Sequence, residues 1–320
     1  MKVSDIKKIA CLGGGVIGSS WAIAFAMHGL EVVLRDINDE MVEKSRGQVC
    51  GYLDSLVAAD ALTEEGRAEV MGRISMTTSI EEALKGVQFI QENGPERLPI
   101  KQSILADVDR YAAPDAIYAS STSGLLITNI AEGSAHPERC VGAHPYNPPH
   151  LIPLVEITKG EKSSEEVVKL VYDFYQSIGK EAVLLNRECP GFIANRLQLA
   201  LYREVQDLVM RGVCSVEDVD KALVYGPGIR WAIFGHNMIM QLGNPGGLTG
   251  MTKMLGSSGS VWLKDMASWT EQPENYCDIA QPGVDQEMAN FPDYIGHTNA
   301  ECVAYRDKML IEILKLHKKL

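Results

Sequence analysis

A glycine-rich turn near the start of the chain constrains its fold more than any other feature. Gly13, Gly15 and Gly18 fit the spacing G-x-G-x-x-G, between a short apolar run and a longer apolar segment. The first glycine permits a tight turn, the second lets backbone N–H groups approach a pyrophosphate, and the third lets a helix lie close to a strand. The spacing therefore predicts a dinucleotide at the positive end of a helix that begins near Val16 and Ile17.

A second apolar strand pattern, residues 31–36, ends in an acid at the distance where a ribose-binding carboxylate is expected. Asp36 accepts hydrogen bonds from ribose hydroxyls and repels a 2′-phosphate, which favours NAD over NADP. Arg35 beside it leaves NADP open, because a neighbouring arginine can accommodate that phosphate. We expect NAD as the cofactor.

Strand and helix patterns alternate along the first part of the chain, and only helical spacing recurs after Pro190. This order predicts an α/β fold of the Rossmann type, a doubly wound parallel sheet that binds ligands at the carboxyl ends of its strands. We predict an NAD-binding Rossmann domain over residues 1–188. A second, all-helical domain for substrate binding and dimerisation is predicted over residues 189–320, with a mobile glycine- and serine-rich loop at 243–260.

The composition restricts the partners and the compartment. A formal net charge of −12 argues against nucleic-acid and membrane-surface binding, both of which need a basic face, and is compatible with a small-molecule substrate. The seven cysteines are scattered singly with no C-x-x-C pair, so we expect no disulfide framework and no metal site. Apolar runs are too short to span a membrane or to form a signal peptide, which predicts a cytoplasmic protein.

Polar residues follow two further strand patterns at the predicted cofactor edge. We expect Glu96 and Lys101 to contact the ribose or the nicotinamide, although a solvated loop is the alternative for each. The strand pattern at 116–120 runs into small hydroxyl residues that include Ser121 and Ser123. This composition predicts a ligand-facing turn, with Ser121 near the cofactor, while a cap for the following helix is the simpler alternative.

A histidine and two polar partners form the second informative group. His144 lies at the end of a strand pattern, Asn147 follows three residues later between prolines, and Glu156 interrupts an apolar run. A buried carboxylate needs a partner, and a nearby imidazole, whose ordinary pKa is close to neutrality, can serve as a general base. A lone buried histidine is usually structural, but this set favours catalysis.

Taken together, these motifs resemble the 3-hydroxyacyl-CoA dehydrogenase family over nearly the whole chain. The matching segments are Gly13 to Gly18 with Asp36, Ser120 to Ser123, His144 to Asn147, Leu154 to Glu156, and Pro190 to Arg196. The resemblance implies that His144 is the general base and that Glu156 orients it and stabilises the imidazolium. It further implies that Ser123 hydrogen-bonds the substrate oxygen and that Asn195 completes the site.

Two departures point to a particular branch of that family. Ser121 stands where acyl-CoA members usually carry Asn, and the segment 226–235 differs from their motif. Both features are similar to the branch of L-carnitine and L-gulonate dehydrogenases, whose substrates are free 3-hydroxy acids. Arg230 is therefore expected to pair with the substrate carboxylate, and Trp231 to face a quaternary ammonium if carnitine is the substrate. A structural salt bridge and a core position are the alternatives for these two residues. Asn147 is a further candidate for substrate binding.

The sequence thus predicts an NAD-dependent dehydrogenase that oxidises the L-3-hydroxyl of a small free 3-hydroxy acid. L-Carnitine leads over gulonate-like sugar acids and 3-hydroxybutyrate. The alternatives are a 3-hydroxyacyl-CoA dehydrogenase and a non-catalytic NAD-binding protein of the crystallin kind. The apolar helices of residues 190–320 further predict a homodimer formed through that region.

Overall fold

The computed structural model describes residues 1–319, which fall into two compact units. Met1–Asn195 and the chain from Asp307 onward form the first unit, and Arg196–Arg306 form the second.

A single eight-stranded sheet organises the first unit. Its strand order is β3-β2-β1-β4-β5-β6-β7-β8, whose first six strands have the order typical of a dinucleotide-binding sheet. The strands are β1 (Lys8–Leu12), β2 (Glu31–Arg35), β3 (Ile74–Thr77), β4 (Phe89–Glu92), β5 (Ile117–Ser120), β6 (Cys140–Pro145), β7 (Leu154–Lys159) and β8 (Glu181–Leu184). The Rossmann-type prediction is confirmed.

The sheet is mostly parallel, and its last two strands depart from the prediction. β7 pairs antiparallel with β6, and β8 then pairs parallel with β7. The connection at residues 146–153 is too short for a crossover, which needs about a dozen residues or more, so the chain turns back beside the strand it has just left. The prediction of a wholly parallel sheet is therefore wrong for β7 and β8. The reversal of the chain places His144 on β6 opposite Glu156 on β7.

Helices cover both faces of the sheet. They are α1 (Val16–Met27), α2 (Asp39–Ala58), α3 (Glu64–Gly72), α4 (Ile80–Leu84), α5 (Leu98–Tyr111), α6 (Ile127–Ile130) and α7 (Glu165–Ser177). Alternate residues of β1 enter different cores: Ile9 and Cys11 lie in one apolar cluster and Ala10 and Leu12 in the other. This alternation is what a sheet buried on both faces requires.

The remaining chain is helical, as predicted. Its helices are α8 (Ala194–Met210), α9 (Val216–Leu223), α10 (Ile229–Trp231), α11 (His236–Leu242), α12 (Gly247–Asp265), α13 (Tyr276–Asn290) and α14 (Asn299–Leu316). From this last helix, Ile311 and Leu314 are buried in the core of the first unit. Among residues 1–319, none of the helices is both long and apolar enough to cross a membrane.

The prediction of a mobile loop at 243–260 is wrong, because most of that segment is the helix α12. Leu248, Met251 and Leu255 recur at helical spacing, and the Gln241 side chain accepts the backbone N–H of Leu248 at 2.8 Å. Each glycine inside a helix costs about 1 kcal/mol relative to alanine, which is too little to prevent a helix in a folded unit.

Candidate active site

The glycine turn joins β1 to α1 and leaves room for a ligand. Gly13 has a φ of +94°, and a Cβ on Gly18 would lie 1.8 Å from the Gly13 carbonyl oxygen. Neither position accepts a side chain. A Cβ on Gly15, the residue before Val16 at the start of α1, would meet nothing within 4 Å. The turn therefore offers backbone N–H groups at a helix N-terminus beneath open space, with Ile17 in the first helical turn, and these features fit a pyrophosphate.

Asp36 follows β2 and stabilises the glycine turn through a hydrogen bond. Its Oδ2 accepts the backbone N–H of Gly14 at 2.8 Å, while Ser45 donates its hydroxyl to the Gly14 carbonyl at 2.8 Å. Arg35 donates Nε to the Thr78 carbonyl at 3.2 Å. Ser45 was not predicted, because it lies within α2 and no spacing in the sequence connects it to the turn.

His144 and Glu156 face each other across the two antiparallel strands. They are paired in the register of β6 and β7, so their side chains lie on the same face. The Nδ1 atom of His144 is 2.8 Å from Oε2 of Glu156, and both residues are buried. The sequence predicted the two partners, and the antiparallel register is the physical reason that they meet.

The other oxygen of Glu156 is held by the beginning of α8. Oε1 accepts the backbone N–H groups of Ile193 and Ala194 at 2.8 and 2.9 Å. Phe192 precedes them with a φ of +50°, in the left-handed region, and this turn aims both donors at one oxygen. Burial alone raises the pKa of Glu156, but the hydrogen bonds from His144, Ala194 and Ile193 outweigh it and lower that pKa below the ordinary value.

Ser123 and Asn195 connect to the same group of residues. The Asn195 side chain donates Nδ2 to the Ser123 carbonyl oxygen at 3.2 Å, and Asn195 directly follows the two residues that hold Glu156. Ser123 comes just after β5, and β5 is the strand that pairs with β6. All four predicted catalytic residues therefore lie at one edge of the sheet in the first unit.

Ser121 belongs to a hydrogen-bonded chain that leads into the core. It donates its hydroxyl to Asn93 Oδ1 at 2.7 Å and accepts Nε2 of the buried Gln91 at 2.8 Å. The hydroxyl of Tyr175, on α7, donates to Oε1 of Gln91 at 2.5 Å. Gln91 and Tyr175 carried no sequence signal for this role, because apolar strand and helix patterns conceal single buried polar groups.

Lys101 and Glu96 follow β4 as predicted, but their polar atoms are engaged within the protein. The Lys101 side chain is 1% exposed, and its Nζ lies 3.0 Å from both oxygens of the fully buried Glu92. Glu96 accepts hydrogen bonds from the turn that carries Ser123. The Lys101 ammonium is therefore paired inside the protein and does not face a bound cofactor.

The predicted substrate residues are distributed between the units. Asn147 is exposed in the first unit, after β6. Arg230 and Trp231 are exposed on α10 in the second unit, where the Trp231 indole N–H donates to His236 Nδ1 at 3.3 Å. In the first unit, aromatic rings surround His144, with the centroid of Tyr146 at 6.1 Å and that of Phe192 at 5.5 Å.

This arrangement suits proton transfer at a histidine. Glu156 accepts the hydrogen on Nδ1, which leaves Nε2 of His144 as the nitrogen that can take a proton from a substrate hydroxyl. The carboxylate also compensates the positive charge that the ring then acquires. Bound NAD⁺ supplies the hydride acceptor, and the glycine turn and Asp36 are the residues that would hold it.

Two family models match this chain. The family model described as 3-hydroxyacyl-CoA dehydrogenase, NAD binding domain, matches residues 8–189, and the model of the C-terminal domain of the same family matches residues 191–293. The two matches adjoin each other and together cover most of the chain.

Individual relatives extend over nearly the full length. The L-carnitine dehydrogenase of Nocardiopsis dassonvillei is 37% identical over 315 residues, which is 97% of this chain and 91% of that protein. A 3-hydroxyacyl-CoA dehydrogenase of Gibberella moniliformis is 37% identical over 84% of each chain. The crystal structure of 5-formyl-3-hydroxy-2-methylpyridine 4-carboxylic acid 5-dehydrogenase, an NAD⁺-dependent dismutase, has a TM-score of 0.80 at 28% identity and covers 98% of both chains.

Proposed function

Because the chain belongs to the 3-hydroxyacyl-CoA dehydrogenase family and is an NAD-dependent oxidoreductase acting on a CH–OH group, we propose that its substrate is a small free 3-hydroxy acid. The reaction is oxidation of the L-3-hydroxyl to the 3-keto acid. L-Carnitine is the favoured substrate, since proteins named L-carnitine dehydrogenase match this chain over 97% of its length. Gulonate-like acids and 3-hydroxybutyrate are the next candidates.

The buried pair of His144 and Glu156 carries this proposal. His144 is the general base, and Glu156 fixes its tautomer and stabilises the imidazolium. Ser123 hydrogen-bonds the substrate oxygen, and Asn195 completes the site from the start of α8. The support is geometric: a 2.8 Å contact between Nδ1 and the carboxylate, at the sheet edge where the chain also offers a dinucleotide turn.

The cofactor roles follow the turn described above. In the turn from Gly13 to Gly18, the backbone N–H groups at the start of α1, including those of Val16 and Ile17, bind the pyrophosphate, and Asp36 binds the adenosine ribose. Ser121 lies toward the nicotinamide end. The contact of Arg35 with the Thr78 carbonyl supports NAD over NADP, because it directs that guanidinium to the neighbouring strand.

Arg230 is assigned to the carboxylate of the substrate, Trp231 to a quaternary ammonium and Asn147 to a further polar contact. A free acid has an anionic carboxylate that a guanidinium can bind in bidentate fashion, whereas a thioester has none. Losing such a pair costs about 2 kcal/mol, or a factor of roughly 30 in binding. Arg230 and Trp231 are both exposed on α10, so each is available to a ligand.

A substrate panel tests the assignment. L-Carnitine, gulonate, 3-hydroxybutyrate, its methyl ester and 3-hydroxybutyryl-CoA are each offered with NAD and with NADP, and NADH or NADPH formation is followed. We expect turnover of a free acid with NAD and a preference for the acid over its ester. R230Q should abolish that preference, while the control R211Q, at an exposed arginine paired with Asp207 and Asp265, should keep it.

Other outcomes of the panel select the alternatives. Turnover confined to 3-hydroxybutyryl-CoA would favour the acyl-CoA reaction and remove the role of Arg230. An absence of NADH formation with every substrate would favour a non-catalytic NAD-binding protein.

The assembly and compartment are also proposed. The second unit exposes large apolar side chains on α12, with Val261 65% and Leu263 72% exposed, which supports a homodimer through residues 190–320. Light scattering should give twice the mass of one chain, and W262E, at another exposed α12 residue, should reduce it. The seven cysteines are all unpaired, which supports a reducing, cytoplasmic location.

A further inference from the structure

The turn that carries Ser123 is held by a carboxylate. One oxygen of Glu96, Oε1, accepts the backbone N–H groups of Ser123 at 2.9 Å, Gly124 at 3.0 Å and Leu125 at 3.3 Å. The same oxygen accepts the hydroxyls of Thr122 at 2.6 Å and Ser123 at 3.3 Å. Three consecutive backbone donors and two hydroxyls therefore converge on one atom.

The donors of this turn do not all depend on Glu96 to the same degree. The hydroxyl oxygen of Thr122 also accepts from Leu125 at 2.9 Å and from Gly124 at 3.4 Å. The backbone N–H of Ser123 donates to Glu96. The residue whose side chain is assigned to the substrate is thus the one whose backbone is fixed most directly by the carboxylate.

The charge on Glu96 is maintained by its surroundings. Partial burial raises its pKa, but the hydrogen bond from Thr122, the charge of Lys101 and the backbone N–H groups of Ser123 and Leu125 lower it below the ordinary value. Hydrogen bonds to an ionised acceptor are stronger than those to a neutral one. Glu96 is therefore a firm acceptor for the turn at neutral pH.

Behind Glu96 lies a buried ion pair that fixes Lys101. The Lys101 Nζ is 3.0 Å from both oxygens of Glu92, 3.2 Å from the Gly94 carbonyl and 3.6 Å from Oε2 of Glu96. Glu92 also accepts the hydroxyls of Tyr118 at 3.2 Å and Ser120 at 2.5 Å. The Lys101 ammonium therefore connects its own helix, α5, to Glu92 at the end of β4 and to Glu96, which accepts the hydrogen bonds of the turn.

We propose that Glu96, supported by Lys101 and Glu92, is a positioning residue that sets the Ser123 hydroxyl for the substrate oxygen. The assignment rests on the proposed function, since it presupposes the role of Ser123. The sequence-based expectation that Glu96 contacts the cofactor stays a prediction, since Oε1 is held by the turn while the side chain is 39% exposed.

The first test measures the order of the turn without any substrate. Hydrogen–deuterium exchange is followed on peptides covering residues 121–126 in the full chain. E96A removes the shared acceptor and should accelerate exchange at these amides by about tenfold or more, and E96Q, which keeps a carbonyl oxygen, should have a smaller effect. E81A, at an exposed glutamate of α4, is the control and should leave exchange unchanged.

The second test separates positioning from cofactor binding. With the 3-hydroxy acid that the panel identifies, E96A should lower kcat by about a hundredfold, the scale of a small misplacement of a reacting group, while the Kd for NAD⁺ changes by less than about threefold. In the S123A background, E96A should add less than about threefold, because the two changes remove the same interaction. E81A should match the wild type.

The contrary results are distinct. Unchanged exchange in E96A overturns the inference even in an active enzyme. A Kd for NAD⁺ that rises in step with the fall in kcat, or effects of E96A and S123A that multiply, would instead make Glu96 a cofactor ligand and overturn it too. Wild-type turnover in S123A would remove the proposed role of Ser123, and with it the function assigned to the turn, whatever the exchange shows.

Discussion

Replacing Glu156 by Gln removes one charge from the site and keeps the shape of the side chain. The amide oxygen can still accept from Ile193 and Ala194, whose N–H groups hold the native carboxylate at 2.8 and 2.9 Å. The amide nitrogen then faces Nδ1 of His144 and, as a donor, requires Nδ1 to be the acceptor. The ring proton moves to Nε2, which is the nitrogen proposed to take the substrate proton.

The size of the effect follows from the charge separation. Two unit charges roughly 4 Å apart interact by about 4 kcal/mol at an effective dielectric constant of about 20, which corresponds to about a thousandfold in rate. Glu156 shares its charge with two backbone donors, which reduces this figure, whereas the wrong tautomer increases the loss, to about ten-thousandfold in a comparable triad. We expect kcat to fall by about a thousandfold.

The assay is initial-rate kinetics over pH 6 to 9 with the best substrate of the panel, together with circular dichroism to verify the fold. E138Q is the matched control, since Glu138 also contacts a histidine, His136, at 3.3 Å, but on the exposed surface. It should retain wild-type kcat. A kcat of E156Q within about threefold of the wild type, with an unaltered pH–rate profile, would refute the assignment of this pair.

Three further predictions concern the cofactor turn and stability. G18A should weaken NAD⁺ binding by at least about tenfold in calorimetric titration, because its Cβ would lie 1.8 Å from the backbone oxygen of Gly13, and an unchanged Kd would contradict the turn's role. D36A should raise the Kd for NAD⁺ about tenfold and narrow the preference over NADP⁺, as competitive titrations would show. Burial, and then the charge of Lys180, lower the pKa of His150 to about 4. The unfolded chain therefore takes up this proton first, and up to about 3 kcal/mol of stability is lost as pH falls from about 6.5 to 4. In urea titrations at several pH values H150Q should flatten that slope, and an equally steep slope would point to other groups.

The features that the sequence predicts are those that depend on the spacing of neighbouring residues. The glycine turn, Asp36 and the alternation of strands and helices each depend on a few neighbouring residues, and each defines a backbone conformation almost by itself. Ser79, followed three residues later by Glu82, caps α4 in the same way and accepts the Glu82 N–H. Such signals survive folding because no distant contact is needed to produce them.

The features that were missed depend on contacts between distant segments. The reversal of β7 is set by the length and the prolines of one connection, and it decides that His144 and Glu156 are cross-strand neighbours rather than residues of parallel strands. The pairing of Lys101 with Glu92 could not be predicted for a similar reason. A lysine that follows a strand near the predicted cofactor site suggests a ligand-binding cation, and only the structure shows that its side chain is buried. Burial that depends on contacts between distant segments produces no periodic pattern in the sequence.

These contacts also explain why the site depends on more than the histidine. One carboxylate, Glu156, is shared between β6, from which His144 projects, and the start of α8, whose two N–H groups hold its other oxygen. The left-handed turn at Phe192 sets the direction of those donors, and Asn195, three residues after Phe192, reaches the Ser123 carbonyl. A change in residues 192–195 should therefore disturb His144, the proposed base, and the turn that carries Ser123 together. For this reason, we expect substitutions there to alter kcat as strongly as substitutions in the strand that carries His144.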